Sequence, residues 1–212
     1  MKVALINNFP PRSGTGRVPY SLWEEFKKIP EVAADLICTH LMSWEDYRDP
    51  KNQGVKVLHP FPYKEHEYLS RLMIYFWDPL RLPRGYDVYH ITNHMLGRLG
   101  RFRRPVVVTA HDVLQFKYRE DMGNPVVSKI YNYFMDQSIK SLRRVDRIIC
   151  VSDHSRSQVI KQLGVSGERV VTVHNGLDHQ LFRPLDQRAA RQKLSLPPRA
   201  KVLLHVGSEL RR

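Results

Sequence analysis

Residues 147–163 read Arg-Ile-Ile-Cys-Val-Ser-Asp-His-Ser-Arg-Ser-Gln-Val-Ile-Lys-Gln-Leu and contain one complete strand-and-helix unit. The apolar run that ends at Val151 is continuous, which is typical of a strand buried on both faces of a parallel sheet. Ser152 then offers a helix N-cap, and Gly164 is suited to end the helix. The apolar residues of that helix recur at helical spacing: Val159, Ile160 and Leu163.

The same alternation extends over most of the chain. Six further runs predict buried strands: Lys2–Asn7, Asp35–Thr39, Val55–His59, Asp87–Ile91, Pro105–Ala110 and Arg169–Val173. Two more helices are predicted by apolar residues at helical spacing: Val18, Leu22, Phe26 and Ile29, with Pro19 in the first turn, and Val127, Ile130, Phe134, Ile139 and Leu142. Strand alternating with helix predicts an α/β fold with a doubly wound parallel sheet of the Rossmann kind.

The composition changes near residue 176, which predicts a domain boundary. Residues 1–176 hold the whole alternating pattern and are expected to form one domain. Residues 177–200 are rich in turn residues and are expected to be a linker with a short basic helix at Gln187–Leu194. Another buried-strand run, Lys201–Val206, follows the linker, so residues 201–212 are expected to begin a second, truncated domain.

Composition narrows the class of protein. The 212 residues include 34 basic and 21 acidic residues, a net charge of +13, which favours anionic partners such as nucleic acid, anionic lipid or phosphorylated small molecules. No nucleic-acid-binding motif accompanies the charge. Cys38 and Cys150 lie in separate apolar runs, which excludes a disulfide scaffold or a cysteine zinc site. The first apolar run is too short for a signal peptide, and no run approaches about 20 apolar residues, so a cytoplasmic protein is expected.

A glycine-rich stretch, Pro10–Arg17, follows the first predicted strand. Gly14 and Gly16 let backbone N–H groups approach a ligand, and the N-terminus of the next helix favours an anion. The stretch does not match the dinucleotide-binding pattern, because Pro19 stands where that pattern has its third glycine. It does not match the phosphate-binding loop of nucleoside triphosphatases either, because the lysine of that loop is missing. A plain strand-to-helix turn is the alternative.

Histidines give one further candidate site. His111 and Asp112 end the strand Pro105–Ala110 at the carboxyl edge of the sheet, where open α/β sheets bind ligands. A neutral imidazole there can donate to a sugar hydroxyl or move a proton, whereas the alternative is a strand-end histidine exposed to solvent. His90 and His94 lie four apart without the glutamate of a zinc protease helix, so no metal site is assigned.

Two surface features leave alternatives open. Tyr68–Trp77 is aromatic and partly amphipathic, so it fits either a bilayer interface or a helix packed on the sheet. The basic cluster Arg98–Arg104 is usually a solvated face.

Five segments in order resemble the N-terminal half of a retaining nucleotide-sugar glycosyltransferase of the two-Rossmann-domain (GT-B) type, family four (group 1). The first is the glycine stretch. The other four are Val108–Val113, Ile148–Ser155, Val171–Asp178 with Phe182 and Pro184, and Leu203–Gly207.

The resemblance implies a cleft between two Rossmann-like domains, the first mainly for the acceptor and the second for most of the nucleotide sugar. Gly14, Thr15 and Gly16 would approach the donor diphosphate and the acceptor, and His111 would contact the transferred sugar. The resemblance also places four residues among those that bind donor or acceptor: Asp112, Ser152, Asn175 and Gly176. It implies no metal and no cofactor apart from the nucleotide-diphosphate sugar, a co-substrate whose departing diphosphate is stabilised by cationic side chains and backbone dipoles.

The resemblance also implies an incomplete enzyme. The family offers a cationic residue just after the glycine of the second domain's first strand, but Ser208 follows Gly207 here. The lysine and the paired glutamates that hold the donor are absent from these 212 residues, so the chain alone is expected to be inactive. The acceptor stays open between a sugar, a lipid-linked molecule and another small molecule, with peripheral contact to the anionic inner face of a membrane. The alternative is a non-catalytic module that docks on such a membrane or on a partner protein.

Overall fold

A computed structural model describes residues 1–9, 13–49, 52–112 and 123–205, without the side chains of Tyr47 and Tyr68. Its contacts divide the chain into two units, Met1–Asn175 and Gly176–Arg212. Seven strands lie in the first unit: β1 (Lys2–Asn7), β2 (Ala33–Cys38), β3 (Lys56–Val57), β4 (Val88–Ile91), β5 (Val106–Ala110), β6 (Arg147–Cys150) and β7 (Val170–Thr172).

The strands form one sheet in the order β3-β2-β1-β4-β5-β6-β7, and every neighbouring pair is parallel. The predicted α/β class and doubly wound parallel sheet are therefore confirmed, and each of the seven predicted runs overlaps one of these strands. From β1 the chain builds outward to β3 on one side and, after β4, to β7 on the other. The boundary between β1 and β4 is thus the switch point of the sheet.

Seven α-helices are assigned in the described residues: α1 (Gly14–Phe26), α2 (Trp44–Arg48), α3 (Glu67–Phe76), α4 (Asp78–Arg81), α5 (Pro125–Ser141), α6 (Asp153–Leu163) and α7 (Gln187–Lys193). A 3₁₀ helix, His94–Arg101, connects β4 with β5. None of these helices is long and apolar enough to cross a membrane.

The sheet is buried on both faces along β1, which explains the continuous apolar run. Ala4 and Ile6 belong to a large core cluster that also holds Val108 of β5. Val3 and Leu5 belong to a second cluster with Trp23 of α1. Because successive strand residues point to opposite faces, each face of β1 receives its own apolar residues.

Three details of α1 differ from the sequence-based expectation. The helix begins at Gly14, inside the predicted glycine loop, because Ser13 caps it: the Ser13 hydroxyl oxygen accepts from the Gly16 N–H at 2.9 Å. Pro19 was expected in the first turn but is the sixth residue of the helix. The start of α1 is therefore better predicted by Ser13, a residue type favoured at the N-cap, than by Pro19, a residue type favoured in the first turn. The helix also ends at Phe26, before Ile29.

The second unit, described up to residue 205, contains α7, which overlaps the predicted basic helix. Asp186 caps α7 by accepting from the Ala189 N–H at 2.7 Å. Residues 201–205 form no strand, and the rest of the expected strand, with Gly207 and Ser208, lies outside the described residues. The linker at 177–200 and the second domain from 201 therefore stay predictions.

Gly97 sets the distance between the 3₁₀ helix and α5. A Cβ atom on Gly97 would lie 2.7 Å from the backbone oxygen of Ser138 and 3.1 Å from Leu142. The Ser138 carbonyl belongs to the backbone of α5 and cannot rotate away, so only glycine fits at this contact.

We expect Gly97→Ala to lower the free energy of unfolding by about 1–3 kcal/mol, the range for overpacking a core. Urea denaturation measures the change. Gly167→Ala is the matched control, because its Cβ would meet ordinary contacts at 3.6 and 3.7 Å. Equal unfolding midpoints for the two variants would contradict the close approach.

Candidate functional site

Three strand ends are tied together at the carboxyl edge by Thr92, which follows β4. The Thr92 N–H and hydroxyl both donate to the carbonyl oxygen of Ile6 in β1, each at 2.9 Å. His111, which follows β5, lies with its Nε2 atom 2.8 Å from the carbonyl oxygen of Thr92. Backbone and side chains therefore fix the ends of β1, β4 and β5 at the switch point, where open α/β sheets bind ligands.

The contact with Thr92 determines the tautomer of His111. A carbonyl oxygen only accepts, so Nε2 carries the proton and donates it, and Nδ1 is left with the lone pair when the ring is neutral. Burial lowers the pKa of His111, while the Thr92 carbonyl and Asp112 act in the opposite direction. The neutral ring therefore interacts with a further group by accepting at Nδ1, and the expected donor role is not available at Nε2.

Three asparagines at the same edge were missed by the sequence analysis. The Asn7 amide donates to the Phe9 carbonyl at 2.6 Å, and its oxygen accepts from the Phe9 N–H at 3.1 Å. The Asn93 amide donates to the Asn8 side-chain oxygen at 3.1 Å, while its own oxygen caps the 3₁₀ helix by accepting from the N–H of residue 95. These bonds fix the chain where it leaves β1. The available signal was an asparagine directly after a buried strand, which favours local side-chain to backbone bonds.

Gly14, Thr15 and Gly16 form the first turn of α1, directly beyond β1. The first N–H groups of a helix have no acceptor inside it and lie at the positive end of its dipole, so this turn can bind an anion. Leaving aside its two chain neighbours and the backbone of α1, no described residue has an atom within 4 Å of a Cβ placed on Gly14, so the described part of the chain leaves the approach to its backbone open. Pro10–Arg12 of the predicted loop lie outside the described residues.

The other predicted site residues are more dispersed. Ser152 follows β6 and caps α6: its hydroxyl accepts from the Ser155 N–H and donates to the Ser155 hydroxyl, both at 3.1 Å. Asp112 lies beside His111. Asn175 is the exposed last residue of the first unit, and Gly176 begins the second. The structure thus brings the α1 turn, His111, Asp112 and Ser152 to one edge of the sheet.

A cavity of about 450 Å³ opens beside the first turn of α1. Its polar lining includes Asn8, Ser13, His40 and Arg71. Burial lowers the pKa of His40 to about 3, so its ring is neutral. Arg71 is therefore the charged side chain among the described lining residues. Among the residues that the structure describes, no three His, Cys, Asp or Glu side chains lie close enough together to hold a metal ion.

Arg71 is held on three sides. Its Nε and Nη2 atoms donate to Glu67 Oε1 at 3.1 and 2.8 Å. Its guanidinium carbon lies 4.6 Å from the centre of the Tyr131 ring and 5.4 Å from that of Tyr63. Tyr63 also stacks on His40, with ring centres 5.1 Å apart. The cavity wall is thus built from α3, α5 and the segment between β3 and α3.

Comparison with known proteins identifies the family. The family model described as Glycosyltransferase Family 4 matches residues 12–181, which include the α1 turn and His111. The chain belongs to this family. A D-inositol 3-phosphate glycosyltransferase of Catenulispora acidiphila is 34% identical over 133 residues, which are 60% of this chain and 31% of that protein. This Glycosyltransferase Family 4 chain thus spans about a third of the length of that curated relative.

Solved structures agree in fold. HepE of Anabaena, in complex with UDP, matches 92% of this chain and 50% of its own at 17% identity, with a TM-score of 0.57. Sucrose-phosphate synthase of Thermosynechococcus elongatus matches 92% of this chain and 53% of its own at 16% identity, with a TM-score of 0.60. The Glycosyltransferase Family 4 chain therefore has the architecture of the N-terminal domain of a GT-B fold.

Histidine burial predicts how stability depends on pH. His90 of β4 lies with Nε2 2.8 Å from the Thr109 hydroxyl, and burial lowers its pKa to about 4. Between pH 4 and about 6.5, the unfolded chain holds a proton at this residue that the folded chain does not. The free energy of unfolding therefore falls as the pH falls through this range, by up to about 1.4 kcal/mol per pH unit for one proton.

We expect His90→Gln to remove that contribution, so that its stability falls less steeply between pH 6.5 and 4.5 than that of the wild type. Urea denaturation at four pH values measures the slope. His154→Gln, at an exposed position of α6, is the control and should keep the wild-type slope. A slope unchanged in His90→Gln would show that His90 takes up its proton over the same pH range in the folded and the unfolded chain, and would contradict the lowered pKa.

Proposed function

We propose that this chain is the acceptor-side part of a glycosyltransferase that moves a sugar from a nucleotide-diphosphate sugar to an acceptor, with retention of configuration and without a metal ion. The observation that carries the proposal is the family match over residues 12–181, because it covers both the α1 turn and His111. The nucleotide sugar is taken from the family, and the base and sugar stay open.

The reaction breaks the bond between the anomeric carbon and a diphosphate oxygen. The acceptor oxygen bonds to that carbon, its proton passes to the departing diphosphate or to water, and the nucleoside diphosphate leaves. The N–H groups of Gly14 and Thr15, at the positive end of α1, are proposed to stabilise the charge that develops on the diphosphate. Neutral His111 is proposed to accept a hydrogen bond from a hydroxyl of the transferred sugar at Nδ1 and so to orient it.

The proposal also covers further binding residues, the cellular location and contact with a membrane. Asp112, Ser152, Asn175 and Gly176 are proposed as further donor- or acceptor-binding residues. The protein is proposed to work in the cytoplasm and, because of its net charge of +13, to contact an anionic membrane peripherally. The family match favours this enzyme part over a non-catalytic binding module.

Gly14→Val tests the role of the α1 turn. The side chain enters open space, so the unfolding free energy should change by less than about 1 kcal/mol. In the protein that joins this chain to a donor-binding domain, transfer should fall by about 100-fold, because the valine blocks approach to the backbone. Nucleoside diphosphate release measures transfer. Gly167→Val, before β7 and away from the carboxyl edge, is the control; equal transfer by both variants would contradict the assignment.

Titration with nucleotide sugars tests the proposal that the donor binds mainly to the donor-binding domain and not to this chain. We expect the 212-residue chain to bind uridine, guanosine and adenosine diphosphate sugars with dissociation constants weaker than about 1 mM, a binding free energy of about −4 kcal/mol. Isothermal titration calorimetry measures this directly. Micromolar binding would place a nucleotide site in this chain and overturn that proposal.

A further inference from the structure

An apolar groove of about 290 Å³ runs between α3 and α5. The surface exposed in it is hydrocarbon, and its lining includes the apolar side chains Leu72, Val127, Ile130 and Phe134. Leu72 and Ile130 are each 47% exposed. The groove therefore presents hydrocarbon to solvent in a place where covering it releases water and gains free energy.

The groove adjoins the 450 Å³ cavity beside α1. The two share the side chains of Arg71, Tyr75 and Tyr131 as a common wall. On one side of this wall lie the polar groups of Asn8 and Ser13 at the carboxyl edge of the sheet. The cavity lining also includes apolar side chains such as Met95 and Leu96, whereas the exposed lining of the groove is hydrocarbon throughout, so the hydrogen-bonding groups lie on the cavity side.

The apolar strip continues beyond the groove. The rings of Phe76 and Tyr133 pack edge-on against Phe134, each with ring centres 5.5 Å apart, and are about 60% exposed. An occupant of the groove that is longer than the groove itself thus meets further aromatic surface.

We propose that the acceptor is amphipathic, with a polar head in the cavity and an apolar chain in the groove between α3 and α5. This rests on the proposed glycosyl transfer and selects one of the acceptor classes that the sequence leaves open. A small, wholly polar acceptor fills the cavity and leaves the adjoining groove bare, whereas an alkyl chain attached to the head covers both. Arg71, held by Glu67 and two tyrosine rings, marks the junction of head and chain.

The test compares alkyl glucosides that share one head. Methyl, butyl and octyl β-D-glucopyranoside are titrated into the 212-residue chain by calorimetry, each below its micellar concentration. We expect affinity to rise at least about tenfold from methyl to octyl, because each buried methylene group strengthens binding. Ile130→Glu, which places a charge in the groove, should remove this gain without unfolding the chain, since Ile130 is half exposed.

Leu80→Glu is the matched control. Leu80 of α4 is 75% exposed and does not line the groove, so this variant should keep the chain-length gain. Three results would overturn the proposal: equal affinity for the three glucosides, a gain that persists in Ile130→Glu, or a gain lost equally in Leu80→Glu. A dimer that Ile130→Glu converts to a monomer would also overturn it, since a second copy would then cover the groove.

This binding is measured without a nucleotide sugar, so it is separable from the proposed function. Chain-length-dependent binding together with no nucleoside diphosphate release by the joined protein would leave the groove assignment standing and refute the transfer. Transfer that is unaffected by Ile130→Glu, together with equal binding of the three glucosides, would refute only the amphipathic acceptor.

Discussion

The parallel pairing of β1 with β4 is the constraint on which the rest of the structure depends. These two strands are far apart in the chain, yet Val3–Ile6 pair in register with Val88–Ile91, and Thr92 adds two bonds to the Ile6 carbonyl. Because the sheet grows in opposite directions from this pair, the loops after β1 and β4 diverge there and leave a crevice. The α1 turn and His111 lie at the same edge of the sheet because parallel pairing aligns the carboxyl ends of the strands that precede them.

The sequence predicted the strands well because each buried strand is a short, continuous apolar run with few alternatives. The boundaries of α1 were harder. Glycines suggested a loop, but the Ser13 hydroxyl satisfies the Gly16 N–H and starts the helix earlier. The short helix α2 was not predicted at all, since it depends on a reciprocal cap between Ser43 and Asp46 rather than on an apolar stripe. Local hydrogen bonds, unlike core burial, leave little periodic signal.

The candidate site, like the fold, could be predicted from the sequence only in part. Strand ends located His111 and the glycine turn, because the carboxyl edge follows from topology alone. The tautomer of His111 was not predictable, since it depends on the carbonyl of Thr92, 19 residues away. The cavity wall was likewise not predictable: Arg71 belongs to Tyr68–Trp77, a segment whose sequence left both a bilayer interface and a packed helix open. Its place between two tyrosine rings from different parts of the chain arises only on folding.

The chain has a large net positive charge, whereas the described lining of the cavity has few unpaired charges. The net charge of +13 predicts anionic partners, yet the described lining of the cavity has little free charge: Arg71 is paired with Glu67, whose pKa that bond lowers, and burial keeps His40 neutral. In the proposed function, the surface charge brings the chain to anionic molecules or membranes, and salt weakens that attraction. The proposed recognition within the cavity depends instead on hydrogen-bonding groups at the sheet edge and on the apolar groove beside it. A ligand that is drawn in by charge is thus selected by shape and by how its polar and apolar parts are arranged.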